Sequence, residues 1–222
     1  KDRFPRGRVV GGSSAVNTTI ALRGMPEDYD EWAQAGNAGW DWASVLPVFK
    51  RLERDLDFGG EDYHGDSGPI TIRRYPHNEM EPQHQAFLDT ASALGYPECP
   101  DANDPNGHGA GPQPMNKLGR LRISAAVGYL APARIRPNLQ IRSDTTVRRL
   151  LFEGRRCIGA EVQPSHASHG DSVTQVSARL VILSAGALMS PTILMRSGVG
   201  AEAQLARLGV DTVLHAQGVG QN

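Results

Sequence analysis

Hydrophobic and polar positions follow several distinct rhythms along this chain. Residues 15–22 are small and apolar, which suits a short buried helix or an extended segment. Pro26 opens a helix with Glu27 and Asp28 in its first turn, where the positive end of the helix dipole favours them. Tyr29 and Trp32 fall on one face of it, and Gly36 stops it. A second helix begins within 41–44, holds Pro47 in its first turn and points Val45, Phe49 and Leu52 inward. Residues 59–69 (GGEDYHGDSGP) form a loop and mark a border between subdomains. Ile70 and Ile72 then alternate with Thr71 and Arg73, the pattern of a half-buried strand. Residues 81–94 read as an amphipathic helix with Phe87, Leu88, Ala91 and Leu94 on its apolar face and Gly95 ending it. Residues 97–114 are rich in Pro, Gly, Asn and Asp, a loop of a length usually reserved for functional or mobile segments.

The second half reads differently. A short helix over 122–130 is capped by Ser124, with Pro132 and Pro137 marking its exit. Strand patterns follow at 139–142, 147–152, 157–162, 173–178 and 180–184, and the turn Glu153-Gly154-Arg155 favours antiparallel pairing. Residues 165–172 form a polar hairpin loop, and Val181-Ile182-Leu183 is a continuous apolar run of the kind expected of a strand buried on both faces. Ser190-Pro191 opens the next helix, 201–208 forms another, and 210–214 returns as a strand. The fold class is therefore mixed α/β.

Composition narrows the function classes. With 222 residues, 39% of them hydrophobic, the chain can hold one domain with a real core or pieces of two. A net charge of −1, with both signs interspersed, gives no electrostatic reason to expect nucleic acid or an anionic membrane surface. No apolar run approaches a membrane span, and two cysteines, Cys99 and Cys157, make no disulfide framework. A reducing, cytoplasmic setting is the default.

Some motifs promise chemistry and are set aside. Gly198-Val199-Gly200-Ala201-Glu202-Ala203 has dinucleotide-like glycine spacing, but a helix precedes it where a strand is needed, so it reads as a helix-to-helix connector. Gly65-Asp66-Ser67-Gly68-Pro69 has the look of a serine-protease nucleophile loop, yet no matching histidine and aspartate contexts accompany it, and a turn feeding Ile70 accounts for it. His166 and His169 lie close together in a polar loop without a carboxylate or thiol, so no metal site is expected. His64 and His108 sit in loops from which a substrate is reachable, though a structural role is the plainer expectation.

The centre of gravity is 7–30, GRVVGGSSAVNTTIALRGMPEDYD. Its paired glycines allow close approach of backbone to ligand, and Ser13, Ser14 and Asn17 add donors. Gly7, the GGSS core, Asn17, Ala21, Gly24 and Asp30 in this stretch, with GALMSPTILMRSGVG at 186–200, resemble the two signatures of the glucose–methanol–choline (GMC) flavoprotein oxidoreductases. The resemblance implies an FAD-binding Rossmann-like domain joined to a substrate domain built on an antiparallel sheet, with only part of each present. Residues 1–62 would be FAD-domain material with the flavin lid, 63–136 a substrate-domain segment, and 137–222 a return to the FAD domain.

Carried over by position, the resemblance implies that Val9, Gly12, Ser13 and Asn17 lie against FAD, with Thr18, Thr19 and Ile20 along its ring side. Val147 would meet the adenine edge, and Ser184, Ala185 and Gly186 would turn close to the adenosine half. Some members tether FAD through a histidine just before the position of Asn17; Val16 stands there, so FAD is expected to be non-covalent. The implied reaction is oxidation of a primary or secondary small-molecule alcohol, hydride passing to the flavin, with oxygen or another electron acceptor reoxidising it. A hydroxynitrile lyase and a non-catalytic fragment without cofactor are the alternatives. The family's catalytic base and its dinucleotide fingerprint have no counterpart here, so the chain reads as an internal segment, with the base expected beyond Asn222 and the remaining segments as its partners.

Overall fold

Two units of this chain carry separate cores: Lys1–Leu139 and Gln140–Asn222. The computed structural model describes residues 4–167 and 173–221.

In the first unit, α1 (Pro26–Gln34) begins at a proline pre-set for the first helical position, and Asp28 accepts from the Met25 N–H at 2.8 Å. Its Tyr29 is buried and packs against Trp32, Trp42 and Phe49 at centroid distances of 5.6, 5.7 and 5.6 Å. The second helix, α2 (Trp42–Leu52), is capped by Asp41, whose carboxylate accepts from the Ser44 N–H at 2.9 Å. Pro47 stands in its second turn rather than its first, exposed, where its ring meets solvent and its missing N–H costs one intrahelical bond. Leu52 is exposed, because the chain leaves the helix there to enter β1 (Glu53–Asp55).

Strand β1 pairs in parallel with β2 (Ile70–Ile72), register Glu53 to Ile70. The half-buried alternation expected at 70–73 is not observed: Thr71 is buried along with Ile72, its hydroxyl accepting from Arg54 at 3.0 Å. The loop between the two strands folds inward, and Gly65 and Gly68 lie against the backbone of 50–53. Helix α3 (Pro82–Ala93) buries Ala91, whereas Phe87 and Leu94 are exposed, so its apolar face is not turned to a core. A short antiparallel pair, β3 (Lys117–Leu118) and β4 (Leu121–Arg122), leads to Ser124. The following helix is a π-helical turn, Ala126–Leu130, that continues as α4 (Ala131–Ala133) past Pro132. Pro132 does not end it, since at its start a proline lacks only an N–H that the wider turn leaves unused. Ala15 closes a 3-10 turn (Gly12–Ala15), and residues 16–22 follow without helix, half-buried or exposed rather than buried and tied by Ile20 to Met115.

The second unit is built on an antiparallel sheet of β5 (Thr145–Glu153), β6 (Arg156–Pro164) and β7 (Thr174–Ser177). Gly154 makes the β5–β6 turn with φ 56°. Residues 168–172 of the polar loop, His169 included, lie outside the described residues. Helix α5 (Gly186–Arg196) starts four residues ahead of Ser190-Pro191; the Ser190 hydroxyl reaches back to accept from the Ala185 N–H at 3.0 Å. The next elements are β8 (Val199–Gly200), α6 (Glu202–Arg207) and β9 (Leu214–His215), and β8 pairs in parallel with β9. The GVGAEA stretch is thus a connector between helices that carries a two-residue strand. Ser197 ties α5 to the sheet, donating to Ile193 O at 2.6 Å and accepting from Leu150 N at 2.7 Å.

Three expected strands are corrected. Residues 139–142 form none, 210–214 reduce to β9, and 180–184 form no strand and pair with none among the described residues. Leu180 and Ile182 are 77% and 82% exposed. An apolar run supplies the side chains for a buried strand, but pairing needs a neighbouring edge.

Replacing Gly65 by Ala would set a Cβ 1.9 Å from the Lys50 carbonyl oxygen. Gly65→Ala is expected to cost on the order of 2 kcal/mol or more, read as a lowered urea midpoint with an unchanged slope.

Candidate functional site

The glycine turn of unit 1 is built by close approach. Gly7 lies so near the turn that a Cβ there would sit 2.4 Å from Gly12 O, and its N–H donates to the Ser13 hydroxyl at 3.1 Å. Gly11 and Gly12 take φ values of 96° and 58°, conformations that carry no Cβ penalty only for glycine. Behind the turn, the Ser14 hydroxyl donates to Gly11 O at 2.6 Å and accepts from Ala125 N at 3.0 Å. Val9, Ser13, Val16, Asn17 and Thr18 are left exposed in front of it.

Asn17 Oδ1 accepts from Thr19 N at 3.0 Å and from the Arg122 guanidinium at 2.6 Å, which fixes the amide so that its NH2 points away. Thr19 has φ 65°, a strained backbone for a β-branched residue. It is held there by Asn116 N donating to Thr19 O at 2.8 Å and by Ala21 N donating to Pro114 O at 2.9 Å. Such strain costs about 1–3 kcal/mol and persists only where surrounding contacts over-determine it. Of the residues expected against the cofactor in unit 1, Val9, Ser13, Asn17, Thr18 and Ile20 are exposed and Gly12 and Thr19 half-buried.

Within unit 2, Val147 stands in β5 opposite Val162, next to an irregularity in register between Val147 and Arg149. Ser184 and Ala185 are exposed, and Gly186 has φ 85° at the start of α5.

A cluster that sequence reasoning missed lies inside unit 1. His64, for which a structural role was the plainer expectation, is buried with no side-chain exposure. Its Nδ1 is 2.7 Å from Glu53 Oε1 and 3.3 Å from Asp55 Oδ2, and its Nε2 is 2.7 Å from Asp101 Oδ2. Arg23 pairs with Glu53, and Arg74 bridges Asp55 at 2.8 Å and Asp101. With both ring nitrogens against carboxylates, the imidazole must donate twice and carries a proton. Three cations then face three buried carboxylates, and Asp57 adds a partly exposed fourth at the edge. Burial works against the charge, but the hydrogen bonds to Asp101 and Glu53 outweigh it and raise the His64 pKa to about 9. Burial likewise opposes ionisation of Glu53 and Asp101, and the His64 hydrogen bond, with Arg23 or Arg74 beside it, holds both below the usual carboxylate range.

Glu53, Asp55 and His64 are close enough together to be considered as metal ligands. The protonated ring has no lone pair to offer, and the arginines already balance the carboxylates, so the geometry is that of an ion-pair network. Asn103 locks the network to the glycine stretch, accepting from Arg23 N at 2.9 Å and donating to Ala21 O at 3.1 Å. The only sequence signals were the alternating Glu53/Asp55 and Asp101/Asn103 pairs, and nothing in their spacing joins them. His108 and His166 are exposed, and Cys99 is buried as a structural thiol.

A sequence profile described as GMC oxidoreductase matches residues 3–222. The chain belongs to the GMC oxidoreductase family. It is 41% identical over 220 residues to the 5-(hydroxymethyl)furfural oxidase of Methylovorus sp. (strain MP688), covering 99% of this chain and 40% of that protein. It is 41% identical over 219 residues to the mitochondrial choline dehydrogenase of Homo sapiens, covering 99% of this chain and 36% of that one. Among solved structures, an FAD-dependent oxidoreductase from Chaetomium thermophilum superposes with a TM-score of 0.87 at 32% identity, over 98% of this chain and 39% of that one. The chain therefore spans about two-fifths of the length of the GMC relatives it matches. No described helix is long and apolar enough to cross a membrane.

For His64 the folded pKa is raised, so its stabilising contribution is fully present below about 6.5 and is lost as pH rises through about 9. Wild-type stability to urea should fall over that interval. His64→Gln, which leaves buried carboxylates unpaired, should lose about 3–5 kcal/mol at pH 6 and show a flatter alkaline limb.

Proposed function

We propose that this chain is the FAD-holding portion of an enzyme that oxidises a small-molecule alcohol, with FAD bound non-covalently. The observation that carries the reading is the exposed strip of unit 1. A backbone turned by Gly11 and Gly12 lies against Gly7, a Cβ at Gly12 would meet nothing within 4 Å, and exposed apolar and donor side chains share the stretch around it. Val9, Val16 and Ile20 supply apolar contact; Ser13, Asn17 and Thr18 supply hydroxyl and amide hydrogen bonds. This donor set suits a heteroaromatic ring system. Membership of the GMC family and the likeness to the FAD-dependent oxidoreductase of Chaetomium thermophilum favour FAD as its occupant.

When bound, FAD supplies the two-electron chemistry, accepting the hydride of the alcohol carbon. The chain's own residues bind and orient. Thr19, held at its strained φ by Asn116 and Asn17, keeps Thr18 and Ile20 on the ring side. Asn17, itself fixed by Arg122, presents its amide donor at a set angle. Val147, Ser184, Ala185 and Gly186 of unit 2 take the adenosine half in this reading. Residues 1–62 and 137–222 serve the FAD domain, and 63–136 the substrate domain. His64 is not the base, since both its nitrogens already donate. Oxygen or another acceptor closes the cycle.

The full-length protein should show flavin absorbance near roughly 370 and 450 nm, freed into solution on denaturation, and the 450 nm band should bleach with an alcohol in the absence of oxygen. Gly7→Val, which forces the turn away from its own backbone, should lower flavin content severalfold while the far-ultraviolet circular dichroism stays near wild type. A colourless wild-type protein would overturn the proposal.

A further inference from the structure

The ring-side residues of unit 1 are fastened to a hairpin that carries two cations. Met115 bridges to Ile20, Asn116 N donates to Thr19 O at 2.8 Å, and Arg122 Nη1 donates to Asn17 Oδ1 at 2.6 Å. Between these anchors run β3 and β4, which place Lys117 directly opposite Arg122. A cleft of about 730 Å³ lies in the same unit, lined by Thr18, Ile20, Tyr75 and Met115, with Phe87 of α3 among its other residues. That volume lies within the usual range for small-molecule sites.

Like charges directly opposite each other on a ladder destabilise it, and a buried charge without a counter-ion costs more. Lys117 is only 6% exposed, and its Nζ lies 2.7 Å from the ring centroid of Tyr75 rather than on a carboxylate. Arg122 is half-buried and spends an N–H on a neutral amide. Among the described residues, no carboxylate forms an ion pair with either of them. The two carboxylates that line the cleft do not fill this role: Glu79 pairs with Arg73 at 2.8 Å, and Glu81 stands at the N-cap of α3. Two uncompensated cations thus bear on the ring-side stretch, Lys117 through Tyr75, which lines the cleft with Thr18 and Ile20, and Arg122 through Asn17, which precedes Thr18. Their cost is offset when a negative charge arrives nearby.

We infer that Lys117 and Arg122 act as a cationic pair that stabilises the negative charge the flavin ring gains with the hydride. The inference rests on the FAD reading above and deepens it by adding two electrostatic residues. The hydride brings two electrons and one proton from the alcohol carbon, the hydroxyl proton passes separately to a base, the alcohol becomes a carbonyl compound, and the flavin gains one net negative charge. Preorganised charges aimed at such a site need no rearrangement at the moment of reaction. Arg122 is in addition a positioning residue, since its hydrogen bond holds Asn17 Oδ1 and so aims the amide NH2.

The test measures the two-electron midpoint potential of the flavin in the full-length holoenzyme, by dye-equilibrated reduction without substrate, with FAD content determined for each variant. Arg122→Met should shift the equilibrium toward oxidised flavin by about tenfold, the size expected on removing one partly buried unit charge. That corresponds to a potential about 30 mV lower. Lys117→Met should act in the same direction. Arg122→Lys keeps the charge without the guanidinium fork and should restore most of the lost potential, an ordering by charge that a merely structural residue would not give. Arg122 is half-buried, so its two variants decide the matter if Lys117→Met misfolds. An unchanged potential in flavin-loaded Arg122→Met overturns this inference and leaves the FAD proposal standing. So does an Arg122→Lys potential as low as that of Arg122→Met. Lower FAD content with an unchanged potential also overturns it, and assigns the cations to the phosphates of the cofactor. A wild type without flavin overturns both.

Discussion

His64, with no exposed side chain and a carboxylate against each ring nitrogen, joins stretches of unit 1 that lie far apart in sequence. Glu53 and Asp55 come from β1, Arg74 follows β2, Asp101 sits in the long loop, and Arg23 leads out of the glycine stretch. Desolvating six charges is expensive, and attraction offsets the cost only when the groups are mutually paired. That condition makes the network all-or-none. The loop at 59–69 must fold inward to deliver His64, and the loop at 97–114 must close to deliver Asp101. Two segments that look like surface loops by composition are therefore fixed as firmly as a core.

This rigidity reaches the glycine turn by short covalent and hydrogen-bonded steps. Asn103, two residues from Asp101, holds Arg23 N and Ala21 O. Ala21 in turn binds Pro114 O, and Asn116 binds Thr19 O. Thr19 stays in a backbone conformation that a free loop would abandon, because the residues on both sides are anchored to buried polar groups. The network thus pre-organises the residues that face the cofactor in the proposed reading, which lowers the ordering cost when a ligand arrives.

Local signals were legible in the sequence where a short-range rule decides them. Pro26, Asp41 and the Gly154 turn follow such rules, and the antiparallel sheet of unit 2 grows from the last of these. The GGSS turn and the family signatures were equally plain. What failed depended on partners. The run at 180–184 has the composition of a buried strand and finds no edge to pair with among the described residues. Thr71 broke the expected alternation because Arg54 satisfied its hydroxyl. Phe87 fell on the predicted apolar face of α3, but that face lines a cleft and not a core. The pairing of His64 was the largest miss, since its partners are 11 and 37 residues away and share no motif with it.

Backbone and side-chain surfaces constrain this sequence unequally. The glycine turn and its donors are dictated by backbone geometry, so they tolerate little change: a Cβ at Gly7 or Gly11 would strike backbone or Ala126. The cleft is lined by side chains whose own packing demands are slight, Phe87 and Ile20 being largely solvent-facing. Sequence there can change with small effects on stability. A 5-(hydroxymethyl)furfural oxidase and a choline dehydrogenase are equally similar to this chain at 41% identity. Overall similarity therefore does not choose between a neutral and a cationic substrate.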